Sequence, residues 1–399
     1  MKILQVTNKV PYPAKDGGAI ACMNLTRGFS LLGHQVTILA MNTVKHHVSM
    51  GEIPETVKEL ADFRLVNVSA RISFIPALIN LLFSRKPYNA VRFISKTFSR
   101  ELEKILKEKE FDVVQLEGLY VCPYIPVIRK NTSAKIVYRS HNIEHEIWTR
   151  SAILAKGFEK WYLKNLSQRI RRFEIQQLNS YDLIVPITQR DGNILNKLGN
   201  KKPGHISQTG IDSSMLIPNA KNLEHPSLFH IGSLDWSPNQ EGLIWFFENC
   251  WNDIHAKYPD LNFYVAGRNA PVWFQRKIGM PNVIYKGEVA DAYEFINSKS
   301  IMIVPLFSGS GMRIKIIEGM ALGKPIITTV IGTEGISTTS GKNIILAEDA
   351  PGFTEAISKL IEDRQYFDEI SKNAIEYIHE HFDNLASAGA LIEFYKKHI

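Results

Sequence analysis

Residues 301–329, IMIVPLFSGSGMRIKIIEGMALGKPIITT, have the pattern of a buried strand, a glycine-rich loop, a helix and a second buried strand. We expect the helix to begin near Gly311 or Met312 and to end at Gly323, which is suited to a left-handed C-cap. Apolar strands that alternate with helices form parallel sheets covered on both faces. The stretch therefore predicts an α/β domain.

The same alternation runs through the whole chain in two series. The chain has 399 residues, more than one hydrophobic core usually organises. Turn-forming and polar residues accumulate in 209–226, between the two series. We therefore predict two doubly wound domains with a cleft between them. The predicted strands are KILQVT, HQVTILA, FDVVQL, AKIVYRS and YDLIVPIT in the first series, and SLFHIGS, LNFYVAG, NVIYKG, IMIVPLF, KPIITT and NIILA in the second.

The composition is that of a soluble globular protein, with 45% hydrophobic and 22% charged residues. Cys22, Cys122 and Cys250 are widely separated and form no metal-binding pattern, so we expect a reduced, cytoplasmic protein without a structural metal. The first residues, MKILQVTNKV, are too short for the apolar part of a signal peptide, and no window reaches transmembrane length.

The formal net charge of +7 indicates anionic partners, which include nucleotide phosphates, lipid headgroups and nucleic acid. The chain lacks an aromatic-interleaved nucleic-acid motif, so no nucleic-acid partner is predicted. Residues 71–109 are basic and amphipathic, and two interpretations are equally open for them. The stretch either lies on an anionic membrane surface or turns an apolar stripe to the core, and Pro76 and Pro87 are expected to divide it.

The glycine-rich loop SGSG has the properties of an anion site. Its glycines permit positive φ and close backbone approach, and the free N–H groups of the helix start attract negative charge. Arg313 and Lys315 place cations where acidic residues are usually preferred, which indicates that an anion binds there. Glu318 lies further along the helix, where it can accept hydrogen bonds from hydroxyls. The alternative is that the glycines serve only packing and that Arg313 and Lys315 are solvated. The loop is neither a Walker A motif nor a dinucleotide-binding GxGxxG motif.

Two other loops contain candidate binding residues. Gly17 and Gly18 follow the first strand and open a helix, which fits close approach to a ligand and fits a plain βα turn equally well. His141 directly follows the strand AKIVY, at the end where α/β sheets place their ligands. His141, Glu144 and His145 lack the HExxH order and a further ligand set, so no metal site is predicted.

Taken together, these stretches resemble a GT-B fold glycosyltransferase and are most similar to glycosyltransferase family 4. The resemblance implies two Rossmann-like domains that face each other across a cleft. They would be an acceptor-binding domain over 1–212 and a nucleotide-sugar-binding domain over 213–380, with a final helix over 381–399 that packs back on the first. The resembling segments are PYPAKDGGAI, RGFSLLGHQVTILA, FDVVQLEG, SHNIEHE, YDLIVPITQRDGNILNKLG, TGID, FHIGSLDWSPNQEGLIWF, FYVAGRNAP, VIYKGEVAD and VPLFSGSGMRIKIIEGMALGKPIITT.

The resemblance also implies a role for each candidate residue. Glu318 matches the glutamate that binds the ribose hydroxyls of the nucleotide, and His141 matches the histidine that contacts the transferred sugar. Gly17 and Gly18 match the glycine loop beside the diphosphate. The remaining donor-binding positions match the loop before the helix, where Gly309 and Ser310 lie near the sugar and Gly311, Met312 and Arg313 lie near the diphosphate.

The sequence departs from the family pattern at two places. The first motif glutamate of the family falls at Ser310, which alters the contact to the donor sugar. The segment GSLDWSPNQEG lacks the usual arginine and the lysine that follows it. A subgroup with the pattern GSG-x-R-x-K-x-x-E moves that charge into Arg313 and Lys315, which we expect to act as catalytic cations.

The function implied is that of a retaining, metal-independent, hexosyltransferase-like enzyme. The donor is a UDP- or GDP-linked sugar, bound as substrate with no further cofactor. The acceptor is a saccharide or lipid-linked molecule used in cell-envelope polysaccharide or glycolipid synthesis. The enzyme would be cytoplasmic, and whether it also makes a peripheral contact with the inner face of the membrane is an open alternative. The alternatives are a nucleotide-sugar-binding protein without transfer activity and a GT-B fold nucleotide-sugar epimerase. A phosphorylase-like enzyme is disfavoured by the motif order, and a nicotinamide oxidoreductase by the absence of its fingerprint.

Overall fold

The computed structural model describes residues 1–14, 16–212, 216–219, 221–309 and 311–399. The chain divides into two compact units. Unit 1 comprises Met1–Gly210 together with Asn384–Ile399, and unit 2 comprises Ile211–Asp383.

Unit 1 contains a parallel sheet whose strand order is β3-β2-β1-β4-β5-β6. Its strands are β1 (Lys2–Thr7), β2 (Gln35–Thr43), β3 (Asp62–Val68), β4 (Val113–Glu117), β5 (Lys135–Ser140) and β6 (Leu183–Pro186). Its helices include α1 (Gly17–Leu31), α2 (Glu55–Lys58), α3 (Phe74–Phe83), α4 (Tyr88–Val91), α5 (Lys96–Glu108), α6 (Ile125–Asn131), α7 (Glu144–Leu154), α8 (Gly157–Gln177) and α9 (Gln189–Lys197).

Unit 2 contains a second parallel sheet, ordered β12-β11-β10-β7-β8-β9. Its strands are β7 (Glu224–Ile231), β8 (Phe263–Ala266), β9 (Val283–Gly287), β10 (Lys299–Val304), β11 (Ile326–Thr328) and β12 (Ile345–Leu346). Its helices include α10 (Ser237–Phe246), α11 (Asn252–Lys257), α12 (Val272–Lys277), α13 (Ala292–Asn297), α14 (Ile314–Ala321), α15 (Ala350–Glu362) and α16 (Arg364–His381). The final helix of the chain, α17 (Asn384–Lys396), belongs to unit 1.

The central strands are apolar because both faces of each sheet are covered. In β1, Leu4 and Val6 pack into one core while Ile3 packs into the core on the opposite face. That second core includes Phe29 of α1 and Tyr395 of α17, so the final helix covers part of the unit 1 sheet. The alternation of strands and helices predicted from the sequence is therefore present in both units.

One strand was not predicted. β3 has the sequence DFRLVNV and pairs with β2 at the edge of its sheet. Its buried residues are separated by half-buried and exposed ones, and its sequence includes Asp62, Arg64 and Asn67, so it lacks the continuous apolar run by which the other strands were recognised.

Each sheet reverses its strand order at one place. In unit 1 the chain proceeds from β1 to β3 in one direction and from β4 to β6 in the other, so the reversal lies between β1 and β4. In unit 2 the corresponding reversal lies between β7 and β10. Parallel α/β sheets bind ligands at the carboxyl ends of the strands that flank such a point. The topology therefore directs attention to the ends of β1, β4, β7 and β10.

The basic stretch 71–109 forms three helices with different surroundings. Phe98, Leu102 and Ile105 of α5 are buried, as the core-facing interpretation predicts, whereas α3 turns large apolar side chains to solvent. Pro76 does not divide the stretch, because it lies in the first turn of α3, where a missing N–H is tolerated. Pro87 does separate the two helices, because it lies after the end of α3 and is the N-cap of α4.

Among the residues described, we find no helix with the length and apolar character needed to cross a membrane. The thiols of Cys22, Cys122 and Cys250 are free and buried.

Candidate functional site

The loop between β10 and α14 has the backbone conformation that its glycines predict. Gly309 has a φ of 108° and Gly311 a φ of 80°. Helix α14 begins at Ile314 rather than at Gly311 or Met312, because a positive φ at Gly311 is incompatible with a right-handed helix and Arg313 is a non-helical N-cap. Gly311 and Met312 therefore precede the helix. Ser310, predicted to lie near the donor sugar, falls outside the described residues.

Arg313 is 5% exposed and folds back over its own loop. Its Nη1 donates a hydrogen bond to the carbonyl of Gly311, and its guanidinium lies 5.4 Å from the ring centre of Trp236. A Cβ atom on Gly309 would lie 2.9 Å from Nη2 of Arg313 and 3.0 Å from the Trp236 ring. The loop, the arginine and the tryptophan therefore form one tightly packed group in which Gly309 is required.

Lys315 lies in the first turn of α14, and its ammonium is held from two sides. Nζ donates to Oδ1 of Asn239 at 2.8 Å and to Nε2 of His230 at 3.1 Å. Burial, together with the charge of Arg313, lowers the pKa of Lys315 well below its ordinary value. An ammonium in such surroundings gains from any anion that approaches it.

His230 is the partner that fixes the direction of Lys315. Burial and the neighbouring Lys315 charge lower the pKa of His230 well below its ordinary value, so the imidazole is neutral. Its Nδ1 lies 2.8 Å from the carbonyl of Ile303 and must donate to it, which leaves Nε2 as the acceptor for Lys315. Among the described residues, two acceptors engage Nζ of Lys315, and an ammonium has three N–H bonds. The third can donate to a ligand.

Glu318 lies three residues after Lys315, so both side chains share one face of α14. Its Oε1 accepts a hydrogen bond from the hydroxyl of Tyr293 at 3.1 Å. Burial raises the pKa of Glu318 to about 7, and the Tyr293 hydrogen bond opposes this effect without cancelling it. One face of α14 therefore carries the Lys315 ammonium and, about one turn further along, the Glu318 carboxyl group.

These groups meet where the unit 2 sheet reverses its order. His230 lies near the end of β7, and the glycine loop follows β10, the adjacent strand. Four predicted residues, Gly309, Gly311, Arg313 and Lys315, are therefore brought together at a topological switch point.

In unit 1, Gly17 and Gly18 open α1, as predicted. The preceding Asp16 caps the helix, since its Oδ1 accepts from the Ala19 N–H at 3.0 Å and from Nζ of Lys9. Burial opposes the effect of Lys9, but Lys9 prevails and lowers the pKa of Asp16. The ion pair of Lys9 and Asp16 therefore connects the end of β1 to the start of α1.

His141 directly follows β5 and is bound to a carboxylate that the sequence analysis did not identify. Its Nε2 lies 2.6 Å from Oε2 of Glu117, the last residue of β4. Arg139 donates to the same oxygen at 3.2 Å and to the carbonyl of Ala21 in α1 at 3.2 Å. Burial raises the pKa of Glu117, but Arg139 and His141 outweigh it and bring the value to about 2. The Glu117 carboxylate is therefore ionised. It connects the end of β4 to His141, and Arg139 connects Glu117 to α1.

The neighbouring histidine has a separate partner. Nδ1 of His145 lies 2.5 Å from Oε2 of Glu174 in α8, so His141 and His145 are directed to different carboxylates. Burial raises the pKa of Glu144 to about 7, against a hydrogen bond from Tyr120. Among the described residues, no group of three or more His, Cys, Asp or Glu side chains is arranged to hold a metal ion.

Sequence reasoning missed several residues of the two sites. Glu117 lies at the carboxyl end of an apolar strand, and the same kind of position was the reason for selecting His141. His230 is a polar residue within the apolar run SLFHI, which could also have marked it as a candidate. Asn239 and Trp236 lie at the start of α10 and carry no local signal. The missed residues are Glu117, His230, Trp236, Asn239 and Tyr293.

Two sequence-family models match this chain. The model described as Glycosyltransferase Family 4 matches residues 15–214, and the model described as Glycosyl transferases group 1 matches residues 225–363. A curated relative from Klebsiella pneumoniae, described as an uncharacterized 44.6 kDa protein in the cps region, is 25% identical over 405 residues. The alignment covers 96% of this chain and 97% of the relative.

Solved structures share the fold over the full length of the chain. Sucrose-phosphate synthase from Thermosynechococcus elongatus has a TM-score of 0.75 and 15% identity, and the match covers 100% of this chain and 99% of that one. HepE from Anabaena, solved with UDP and glucose, has a TM-score of 0.71 and 14% identity over 99% of each chain. TarM from S. aureus, solved with UDP and α-GlcNAc-glycerol, has a TM-score of 0.72 and 12% identity over 99% of each chain. The predicted α/β fold of GT-B type, with two doubly wound Rossmann-like sheets, is confirmed.

Proposed function

This chain belongs to Glycosyltransferase Family 4, and from that membership we propose that it transfers a sugar from a nucleoside-diphosphate sugar to a saccharide or lipid-linked acceptor. The reaction retains the anomeric configuration and requires no metal. The observation that carries the proposal is the ammonium of half-buried Lys315, held by neutral His230 and by Asn239 beside the glycine loop.

The energetics of that ammonium favour an anionic ligand. A charged group that leaves water without an opposite charge raises the free energy of the folded protein. The partners of Lys315 described above, neutral His230 and the amide of Asn239, carry no negative charge. A diphosphate would supply the missing negative charge, so its binding would be strengthened by the relief of this penalty.

The same groups suit the chemical step. When a glycosidic bond to a diphosphate breaks, negative charge develops on the phosphate oxygens, and preorganised donors lower the barrier. Lys315, Arg313 and the N–H groups at the start of α14 would supply these donors. Glu318, on the same helix face, would accept hydrogen bonds from the ribose hydroxyls of the nucleotide. Gly309 and Gly311 would allow the backbone to approach the donor closely.

Unit 1 would contribute the residues nearest the sugar and the acceptor. His141 would contact the transferred sugar, oriented by Glu117, and Gly17 and Gly18 would approach the diphosphate. The acceptor hydroxyl would attack from the face that the leaving group departs, so that no enzyme nucleophile is required and the configuration is retained.

The relatives guide the choice of donor and pathway. HepE has been solved with UDP-glucose, and TarM with UDP, which makes UDP-sugars the first donors to test, ahead of GDP-sugars. The Klebsiella relative is assigned to a cps region, which supports a role in cell-envelope polysaccharide synthesis. The three free, buried thiols fit a reducing compartment, and we place the reaction in the cytoplasm.

The first experiment is a thermal-shift screen of UDP, GDP and their sugars, followed by assay of nucleoside diphosphate release with candidate saccharide acceptors. We expect one nucleotide to raise the melting temperature and its sugar to be consumed when an acceptor is present. NMR of the product would identify its anomeric configuration, and a chelator should leave the rate unchanged. Binding without consumption with any acceptor would favour a nucleotide-sugar-binding protein, the alternative suggested by Ser310. Interconversion of the free donor would indicate an epimerase.

A further inference from the structure

Helix α3 presents its apolar side chains to solvent rather than to the core. Ile75, Leu78, Ile79, Leu82 and Phe83 are all exposed, and Phe83 is 84% exposed. Their spacing follows the helical repeat, so they form one stripe along the outer face of α3. A core-facing stripe of this kind is ordinary in a globular protein, whereas an outward-facing one indicates a binding surface.

A second exposed apolar group lies where α7 ends and α8 begins. Ile153, Phe158 and Trp161 are exposed, and the rings of Phe158 and Trp161 are 5.3 Å apart. We call the exposed apolar side chains of α3 and of this turn the apolar face. Both parts lie within unit 1.

The two parts of the apolar face are joined by Arg169 of α8. Its Nη2 donates to the carbonyl of Leu81 at 2.7 Å, and its Nη1 donates to the carbonyls of Asn80 and Ser84 at 3.1 and 2.9 Å. The Asn80 carbonyl also accepts from the backbone N–H of Ser84, and all three carbonyls lie at the C-terminal end of α3, where a helix leaves its last carbonyls without helical partners. Because a helix rises about 1.5 Å per residue, Trp161 lies about 12 Å along α8 from Arg169. Helix α3 is therefore fixed to the framework of unit 1 with its apolar side turned out.

The charge around the apolar face is positive. Residues 63–100 include seven basic residues and no acidic ones, which equals the formal net charge of +7 for the whole chain. Arg71 precedes α3, Arg85 and Lys86 follow it, and all three are exposed. At the start of α8, Lys156 and Lys160 are exposed beside the single acidic residue Glu159. An apolar stripe bordered by cations is complementary to a bilayer with anionic headgroups.

We propose that the apolar face docks unit 1 on an anionic lipid bilayer, with the stripe of α3 and the rings of Phe158 and Trp161 inserted at the level of the headgroups. Indole rings favour that depth, and the basic residues at both ends of α3 would meet the headgroups. This goes beyond the proposed function, which would hold equally for an acceptor free in solution.

The test is sedimentation of the full-length protein with vesicles of phosphatidylcholine alone or mixed with phosphatidylglycerol. We expect at least about ten-fold stronger partitioning to the anionic vesicles, weakened by added salt because the basic residues contribute. The triple variant Ile79→Ser, Leu82→Ser, Phe83→Ser should lose partitioning by about ten-fold or more while its melting temperature is unchanged, since all three side chains are exposed.

A control removes other apolar side chains that are more than half exposed. Val272→Ser combined with Trp273→Ser, in α12 of unit 2, should leave partitioning unchanged. Arg85→Gln with Lys86→Gln should weaken binding to anionic vesicles and leave the weak binding to neutral ones unaffected. Equal loss in the α12 control, or no preference for anionic vesicles, would overturn the proposal. A wild-type dimer that the α3 variant converts to a monomer would also overturn it, since a second copy of the chain would then cover the face.

Discussion

Nε2 of His141 lies 2.6 Å from Oε2 of Glu117, and this contact determines which edge of the imidazole is open to a ligand. Glu117 is ionised, because Arg139 and His141 overcome the effect of burial on its pKa. An ionised carboxylate accepts hydrogen bonds only, so Nε2 must donate, and Nδ1 is the nitrogen that would contact the sugar in the proposed reaction. The contact is extended to the final helix, where the hydroxyl of Tyr395 donates to Gln115 at 2.6 Å and Gln115 donates to Glu117.

Glu117→Gln should lower turnover through the orientation of His141. Both oxygens of the Glu117 carboxylate accept hydrogen bonds, one from Gln115 and the other from His141 and Arg139. The amide of glutamine has one oxygen and one NH₂ group, so its NH₂ group must face the donors at one of these two positions and that hydrogen bonding is lost. We expect kcat to fall by about ten-fold or more with little change in the KM for the donor, because in the proposed reaction Glu117 positions His141 against the reacting sugar. Steady-state kinetics with varied nucleotide sugar measure the split. An unchanged kcat with an increased KM would contradict this positioning role.

The two histidines of the segment SHNIEHE provide a matched pair of substitutions. His141→Ala should lower kcat by about 100-fold while the fold persists, because Glu117 keeps its bond to Arg139. His145→Ala removes the partner of Oε2 of the buried Glu174 and leaves, among the described residues, only the Glu144 N–H on Oε1, so the melting temperature should fall, with turnover near that of wild type at a temperature where both are folded. Circular dichroism and turnover assays of both variants make the comparison. Similar turnover losses in both would remove the special role of His141.

The sequence patterns identified what is local and missed what is brought together by the fold. Continuous apolar runs identified the covered strands, but polar residues interrupt the edge strand β3, and it was not predicted. The start of α14 was placed too early because the positive φ of Gly311 cannot be read from glycine alone. The hydrogen-bond partners of the predicted residues could not be identified from the sequence. His230 is 85 positions from Lys315, and Glu117 is 24 positions from His141. Chain separation of this size leaves no local pattern to detect.

Lys315→Met should make the protein more stable and a poorer enzyme. The substitution removes the ammonium of half-buried Lys315, whose pKa is lowered by desolvation and by the charge of Arg313, so the melting temperature should rise. It also removes the donor that we propose binds the diphosphate, so kcat/KM should fall by about 100-fold to 1,000-fold. The double variant Arg313→Ala, Lys315→Ala should be at least as impaired and still folded. Near-normal activity in the double variant would exclude these cations from catalysis.

Lys324 is the control for this pair. It is 5% exposed at the other end of α14, burial lowers its pKa to about 8, and its Nζ donates to the carbonyl of Asn297 at 2.9 Å. Lys324→Met removes a buried ammonium from the same helix region without removing a donor from the glycine loop. We expect its affinity for nucleotide, measured by calorimetry, to match wild type.

Gly309→Ala should weaken donor binding by disturbing the packing of the loop. Alanine at a φ of 108° is strained, and its Cβ would press on Trp236 and Arg313 at about 3 Å. We expect the Kd of the nucleoside diphosphate to rise by about ten-fold or more, as Arg313 is displaced. Gly279→Ala in the same unit is the control, because its nearest neighbour would be 3.4 Å away and its φ is not positive. If both variants bind as wild type does, close packing around Gly309 is unimportant for the ligand.

Glu318 should make both donor binding and stability depend on pH near neutrality. Burial raises its pKa to about 7 from an ordinary 4.5, so the folded protein binds this proton more tightly than the unfolded chain does. The stability that Glu318 contributes is therefore present below pH 4.5 and is lost as pH rises towards and through 7. Glu318→Gln lacks this loss, so its melting temperature should exceed that of wild type increasingly as pH rises over that window.

Binding should show the opposite trend, because a ribose hydroxyl donates best to the ionised carboxylate. The nucleotide sugar is the right probe, since both of its phosphates are esterified and its own charge is constant in this range. If its binding requires the ionised form, the Kd should rise by about ten-fold between pH 8 and pH 6, and Glu318→Gln should bind more weakly at pH 8 with a flat profile. Calorimetric titrations of both proteins across this range provide the measurement. A wild-type Kd that is constant with pH would show that Glu318 does not receive the ribose as a carboxylate.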